Sequence, residues 1–236
     1  MMNKIHYLKP VEFSKDSQDY IDKYDLKNYK VWDCKVDEMV KIKKELKTHL
    51  KKQQKKKCVY CRVNQHSNYD QNWDVEHVLP KKKYPQFLFH PTNLALSCKE
   101  CNRGKYEEDI LKDRENIDLS MYPERAGNYT IIHPFYDDYG RHLKIERSGE
   151  KYLYTPLSKK GLKTYAVCNL KRYAISELID MDSNEDVGGL FERVIHMLKE
   201  NSDSPDDGVV SSQKIQQKIK QDPSLEYHRL STDFEN

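Results

Sequence analysis

Two cysteine pairs give the sequence its strongest metal-binding pattern. Of the six cysteines, four form the segments CVYC and CKEC: Cys58, Cys61, Cys98 and Cys101. Thiolates at this spacing converge on one ion, and two such pairs complete the tetrahedral four-sulfur set that Zn2+ prefers. We therefore predict structural zinc here, because a redox role would explain only one pair. Cys34 and Cys168 belong to neither pair, and we interpret them as buried thiols.

The segment DVEHVLP, residues 74–80, lies between the two pairs and places a carboxylate beside an imidazole. Thirty-six residues separate Cys61 from Cys98, which exceeds the roughly 15 to 20 of a simple zinc ribbon, so a further element is inserted. Adjacent strand residues point to opposite faces, so Glu76 and His77 serve one site only where a strand ends or bends. Pro80 indicates such an end.

The order of these segments resembles the HNH endonuclease motif, a β-hairpin and a helix around one divalent cation. The resemblance runs from Cys58 to Lys105 through VEHVLP, PTNLALSC and CKECNRGK. The chain also resembles, more loosely, the PtuB-type HNH nucleases of Septu and retron anti-phage systems, which are encoded beside an ATPase. The segments that carry this looser resemblance are EHVLPKKKYPQ, IIHPFYDDYGRHL and GLKTYAVCNLKRYAISELI. The resemblance implies a nuclease effector with an ATPase partner.

The resemblance also implies residue roles. His77 is the general base that takes a proton from the attacking water. Glu76 binds the catalytic Mg2+ or Mn2+, and the amide oxygen of Asn102 completes the metal site. Asn93 braces the hairpin and acts indirectly. Asp74 lies on the same strand face as Glu76, and either assists the metal or merely sits nearby.

Each of these residues also has a purely structural interpretation. His77 fits a core histidine, Glu76 a surface carboxylate, Asn93 a turn residue and Asn102 a helix cap. Their occurrence together between two CxxC pairs favours the active-site interpretation. The lysine that follows the motif, Lys105, is an uncertain member of the site.

A basic helix is expected before the first cysteine pair. Apolar residues recur at spacings of three and four, which is typical of an amphipathic helix: Val36, Met39, Ile42, Leu46 and Leu50. Residues 41–57 carry nine lysines and one glutamate. These lysines form either a solvated helix face or a surface for nucleic-acid phosphates.

Composition limits the class of protein. The 236 residues are 37% hydrophobic and 33% charged, with a net charge of +3. No run approaches the roughly 18 apolar residues of a membrane span, and the first residues lack a signal-peptide core. We expect a soluble, cytoplasmic protein with no membrane partner.

The region after the motif is less informative. Residues 123–150 mix short apolar runs with Gly, Pro and Asp, which predicts loops and a few strands. His133, Asp137 and Asp138 indicate a turn rather than a second metal site. Leu190, Phe191, Val194, Ile195 and Leu198 form an amphipathic stripe. Residues 201–236 are polar, and are either disordered or ordered by a partner.

We predict an α+β, mainly helical protein with a ββα-metal HNH core held by the four-cysteine zinc site. The predicted divisions are a basic helical arm (1–57), the nuclease core (58–115), a mixed and helical region packed on that core (116–200) and the polar tail (201–236). The predicted function is metal-dependent hydrolysis of phosphodiester bonds in DNA or RNA. The alternatives are a zinc-knuckle subunit that binds nucleic acid without cutting it, and a scaffold that only docks to an ATPase.

Overall fold

A computed structural model describes residues 8–64, 72–148 and 151–173. These residues belong to one compact unit, Met1–Asp180; the second unit, Met181–Asn236, with the predicted 190–198 stripe and polar tail, lies outside the described residues. The elements in chain order are α1 (Lys15–Ile21), α2 (Asp37–Gln53), β1 (Trp73–His77), β2 (Leu94–Cys98), α3 (Lys99–Lys105), β3 (Leu143–Ser148), β4 (Lys151–Pro156) and α4 (Lys159–Val167). The predicted α+β class is confirmed, while the predicted division boundaries stay predictions.

The predicted basic helix corresponds to α2. It buries Met39, Ile42, Leu46 and Leu50 completely, as the apolar spacing predicts. Val36 differs from the prediction, since it is 44% exposed. The chain is still extended at Val36, which precedes the first helical turn, so its side chain does not follow the buried stripe.

The end of α2 is tied to β2 by one side-chain amide. Gln54 is buried, and its Nε2 donates to the Leu96 carbonyl at 2.8 Å while its Oε1 accepts from the Leu96 N–H at 2.8 Å. The amide therefore satisfies both backbone groups of Leu96 on the edge of the sheet, as a neighbouring strand would. This contact fixes the basic helix against β2, the strand that ends at Cys98.

Strands β1 and β2 form an antiparallel hairpin in which Glu76 lies opposite Ala95 and His77 opposite Leu94. β1 ends at His77, as the Glu-His pair and the following proline predict. All residues of β2 are buried, and β2 runs directly into α3. The hairpin and α3 together provide the strand-strand-helix arrangement of the predicted core.

A second antiparallel hairpin, β3 with β4, closes over the first cysteine pair. The Tyr154 hydroxyl donates to the Cys61 carbonyl at 2.6 Å, and the Tyr139 hydroxyl donates to the Tyr60 carbonyl at 2.7 Å. These bonds hold the backbone of the CVYC turn from outside. The region after the motif thus supports the cysteine site.

The two unpaired cysteines differ in exposure. Cys168 is fully buried, as predicted. The prediction for Cys34 is wrong, because Cys34 is exposed. It follows the short helix Tyr29–Asp33, which turns Trp32 inward and leaves the next residue at the surface. Among the described helices, none combines the length and apolarity needed to cross a bilayer.

Candidate active site

The four cysteines of the two pairs come together in a buried cluster. Their sulfur atoms all lie within 4.8 Å of one another, and the sulfurs of Cys61 and Cys98 are 3.9 Å apart. A tetrahedral ion with Zn–S bonds of about 2.3 Å needs sulfurs about 3.8 Å apart. Burial raises the pKa of the Cys58 thiol well above its usual range, and a bound cation would stabilise its thiolate.

Groups around the cluster donate to its sulfur atoms. The backbone N–H of Cys98 donates to Cys58 Sγ at 3.3 Å, and Arg172 Nη2 lies 3.2 Å from Cys101 Sγ. The Arg172 guanidinium also donates to the carbonyls of Cys168 and Asn169 at the end of α4. A four-thiolate zinc site carries two negative charges. The Arg172 guanidinium is well placed to balance part of this charge.

A cleft of about 270 Å³ opens beside the hairpin. It is lined by residues of the hairpin, the loop after β1 and α3, including Glu76, His77, Lys81, Asn102, Arg103 and Tyr106. Glu76 and His77 both reach it although they are adjacent on a strand, because β1 ends at this point. The structure therefore brings three of the predicted site residues into one cleft, and their roles stay predictions.

His77 is buried at the bottom of the cleft. Its imidazole packs edge-on against Trp32, with ring centroids 4.5 Å apart, and its Nε2 lies 3.2 Å from the Leu88 carbonyl oxygen. A carbonyl only accepts, so Nε2 carries the proton and Nδ1 keeps a free lone pair. Burial, reinforced by the charges of Lys81 and Lys105, lowers the pKa of His77 to about 3. The imidazole is therefore neutral near pH 7.

Glu76 is buried and paired. Its Oε1 lies 2.7 Å from Lys105 Nζ and accepts from the Tyr60 hydroxyl at 3.0 Å. Lys105 Nζ also donates to the His77 carbonyl at 3.2 Å. Lys105 therefore contacts both predicted catalytic residues. It pairs with the side chain of Glu76 and donates to the backbone carbonyl of His77. Both contacts of the carboxylate engage Oε1, and Glu76 also lines the cleft.

Asn102 is oriented by Asp74. The Asn102 Nδ2 donates to Asp74 Oδ2 at 2.9 Å. This bond leaves the amide oxygen of Asn102 as an acceptor, and Asn102 lines the cleft; a hard cation takes oxygen ligands. Asp74 thus contacts the predicted metal ligand, and the choice between assisting the metal and lying near it stays a prediction.

Asn93 is fully buried and is not among the residues that line the cleft. Its Oδ1 accepts from the Leu79 N–H at 2.7 Å, and its Nδ2 donates to the Phe87 carbonyl at 2.9 Å. The Tyr122 hydroxyl also donates to Asn93 Oδ1 at 3.1 Å. Asn93 joins the two ends of the loop after β1, which is the geometry of a bracing residue.

Three residues at these sites were not found from the sequence. Trp32 packs on His77 from a segment far away in the chain, Tyr106 lines the cleft at the end of α3, and Arg172 reaches the cysteines from beyond α4. For Trp32 and Arg172 the sequence carries no local signal, since their positions depend on tertiary packing. Tyr106 directly follows the NRGK segment, and this position in the sequence could have indicated that it lies near the site.

The segment with His133, Asp137 and Asp138 forms turns, as predicted. Asp137 Oδ2 accepts from the His133 N–H at 2.7 Å, and Asp138 Oδ1 accepts from the Gly140 N–H at 3.1 Å. Within the described ranges, the four cysteines are the only cluster of His, Cys, Asp and Glu side chains with metal-binding geometry.

Comparison with known proteins supports the resemblance seen in the sequence. Residues 58–108 match the HNH endonuclease family model. The chain is 35% identical over 91 residues to the Septu protein PtuB of Bacillus thuringiensis, a match that covers 38% of this chain and 28% of that protein. No solved structure matches the chain significantly. The predicted family resemblance is confirmed.

Proposed function

We propose that this protein is a metal-dependent endonuclease that hydrolyses phosphodiester bonds in nucleic acid, a proposal supported by the match of residues 58–108 to the HNH endonuclease family model. The observation that carries the proposal is the state of His77. Its Nε2 is committed to the Leu88 carbonyl, which leaves Nδ1 as the basic nitrogen, and His77 lines the cleft together with Glu76 and Asn102. A neutral imidazole fixed in one tautomer is what a general base requires.

The proposed reaction is direct attack of water on phosphorus. His77 Nδ1 takes one proton from the water as its oxygen bonds to phosphorus, and the bond to the leaving oxygen breaks; solvent supplies the proton that this oxygen gains. The negative charge of the bound phosphate raises the pKa of His77 towards the working pH. No covalent enzyme intermediate forms.

Glu76 Oε2 and the Asn102 amide oxygen are the proposed ligands of the catalytic cation. Both are hard oxygen donors that line the cleft with His77, and they fit Mg2+ or Mn2+. When bound, such a cation supplies positive charge to the phosphate and to the leaving oxygen. The four cysteines are proposed to hold structural zinc, since their sulfur separations fit tetrahedral zinc.

Cationic side chains around the cleft fit a phosphate backbone. Lys43 Nζ lies 5.2 Å from the centre of the Trp32 ring, so α2 contributes charge on this side of the cleft. Lys81 lines the cleft and pairs with Asp33, and Arg103 lines it from α3. Part of the basic helix predicted from the sequence therefore reaches the candidate site, which favours the phosphate-binding interpretation for Lys43.

A cleavage panel tests the proposed activity. Zinc-replete protein is incubated with single-stranded DNA, duplex DNA and structured RNA, with and without added Mg2+ or Mn2+. We expect cutting of at least one substrate that requires the added cation and is lost in His77→Ala. His90→Ala is the matched control, since His90 is a partly buried histidine outside this cleft. Cutting that persists in His77→Ala would overturn the assignment.

A second candidate, a subunit that binds nucleic acid without cutting, is favoured by one observation. Glu76 Oε1 is neutralised by Lys105 at 2.7 Å, which is also what a purely structural ion pair would show. This candidate predicts that the nucleic acids of the panel are bound but give no cation-dependent products, even when an ATPase partner is added.

We propose further that the nuclease acts in anti-phage defence with an ATPase partner. The support is the likeness to the Septu protein PtuB, which covers 28% of that protein. The test is co-expression with a candidate ATPase partner, followed by affinity purification and phage challenge. Protection that is lost in His77→Ala supports a nuclease effector, whereas unchanged protection would favour a scaffold that only docks to the ATPase.

A further inference from the structure

Tyr106 is an aromatic side chain that the fold leaves uncovered at the candidate site. It is 75% exposed, more than any other large hydrophobic residue in the described part of the chain. It lines the cleft that holds His77 and Asn102. A single exposed aromatic residue is ordinary at a protein surface, so its position alone proves little.

The backbone of Tyr106 supplies a second, independent observation. Tyr106 has φ 44° and ψ −128°, a conformation that glycine adopts freely and a bulky residue adopts only at a cost. Its N–H still donates to the Asn102 carbonyl at 2.8 Å, so the residue is held at the helix end. Strained residues of this kind concentrate at functional sites. A glycine would relieve the strain, yet the chain has a tyrosine beside its candidate active site.

Three cationic side chains line the cleft beside Tyr106. They are Lys81, Lys82 and Arg103, and the acidic Glu76 and Glu107 line the same cleft. The Arg103 side chain is 76% exposed and pairs with Glu100 at 3.6 Å, and the Lys82 side chain is 57% exposed and pairs with Glu107 at 3.6 Å. Exposed pairs of this kind are weak, so both cations can exchange their partner for a ligand in solution. Exposed aromatic rings set among lysines and arginines are the combination by which proteins hold single-stranded nucleic acid, with rings stacked on bases and cations on phosphates.

We propose that Tyr106 stacks on an unpaired nucleobase next to the phosphate in the cleft, so that single-stranded or locally opened nucleic acid is the preferred substrate. In a duplex the faces of the bases are already stacked, and a side chain cannot reach them without opening the helix. The inference rests on the proposed nuclease function and adds its substrate class.

Binding to oligonucleotides tests the inference separately from cleavage. The full zinc-replete chain carrying His77→Ala is titrated into a fluorescein-labelled single strand and into the matching duplex, and anisotropy is measured. We expect Tyr106→Ala to weaken single-strand binding roughly fivefold to hundredfold, the range for loss of one stacked base. Tyr106→Phe should bind like the parent, because it keeps the ring. Duplex binding should be unchanged in both variants.

A strand with 2-aminopurine gives a direct stacking signal. We expect the parent and Tyr106→Phe to quench its fluorescence and Tyr106→Ala not to. Met121→Ala is the matched control, since Met121 is 70% exposed and lies outside this cleft. Equal single-strand affinity in Tyr106→Ala and the parent, equal losses for single strand and duplex, or failure of Tyr106→Phe would each overturn the inference.

Thermal unfolding separates a binding role from a structural role. Tyr106→Gly should raise the Tm by about 2–4 °C through relief of the backbone strain, while it weakens single-strand binding as Tyr106→Ala does. A lower Tm would mean that Tyr106 stabilises the fold, and would contradict the inference. If the wild-type chain binds single strands through Tyr106 but never cuts, the nuclease proposal fails and the stacking assignment stands.

Discussion

The buried pair between Lys105 and Glu76 allows a quantitative test of how the site is held. The Lys105 side chain is 0% exposed and that of Glu76 is 4% exposed, with Nζ and Oε1 2.7 Å apart. Lys105→Met keeps most of the side-chain volume and removes the charge. It leaves the Glu76 carboxylate buried with the Tyr60 hydroxyl as its remaining contact in the structure. Breaking a buried pair in this way costs about 3–5 kcal/mol.

The loss comes from the unpaired charge, so it should be recoverable. Lys105→Met also removes the bond to the His77 carbonyl, which contributes roughly 1 kcal/mol. We therefore expect the variant to lose about 4–6 kcal/mol in free energy of unfolding. Adding Glu76→Gln removes the buried charge and should restore about 2–3 kcal/mol of that loss.

Urea denaturation followed by far-UV circular dichroism, with zinc and reductant present, measures these differences. The matched control is Lys163→Met, because Lys163 pairs with Glu108 at 3.0 Å on the surface. That pair should contribute at most about 1 kcal/mol. A loss below about 1 kcal/mol for Lys105→Met, or a double variant less stable than the single one, would refute the reasoning.

Three further predictions concern packing, the metal site and the loop after β1. Gly161→Ala should lower the free energy of unfolding by at least about 2 kcal/mol in urea denaturation, because the added Cβ would overlap the His142 carbonyl oxygen. Gly127→Ala is the control and should be near neutral, because no atom lies within 4 Å of its added Cβ. Equal losses of stability in the two variants would contradict the prediction. Arg172→Gln should speed zinc transfer to a chromogenic chelator roughly tenfold or more, whereas an unchanged rate would exclude a charge-balancing role. Asn93→Ala should cost about 2–4 kcal/mol through unpaired backbone groups, and wild-type stability would contradict its bracing role.

Local patterns were sufficient to predict the parts of this protein whose chemistry is local. The CxxC spacing predicts the cysteine cluster, because each turn brings its own two sulfurs together. The apolar spacing in α2 predicts its buried face, and Glu76–His77 followed by Pro80 predicts where β1 ends. These features depend on neighbouring residues and on the periods of helix and strand.

Features set by contacts between distant segments could not be predicted. Trp32 packs on His77, and Arg172 reaches the cysteines, only after the chain has folded. Cys34 is exposed because of the orientation of the short helix that precedes it. The general tendency of cysteine to be buried does not predict that orientation. Lys105 shows the difference well, since the family motif includes it while its ion pair with Glu76 appears only in the folded chain.

Single-turnover cleavage by wild type and His77→Ala on the best substrate of the panel tests the central claim most directly. Both proteins are used in excess over the substrate, with saturating Mg2+ and matched zinc content. A general base contributes about a hundredfold to ten-thousandfold. We therefore predict that His77→Ala cuts at least a hundred times more slowly while it binds the substrate with unchanged affinity. A rate within about threefold of wild type would contradict the assignment of His77 as the base.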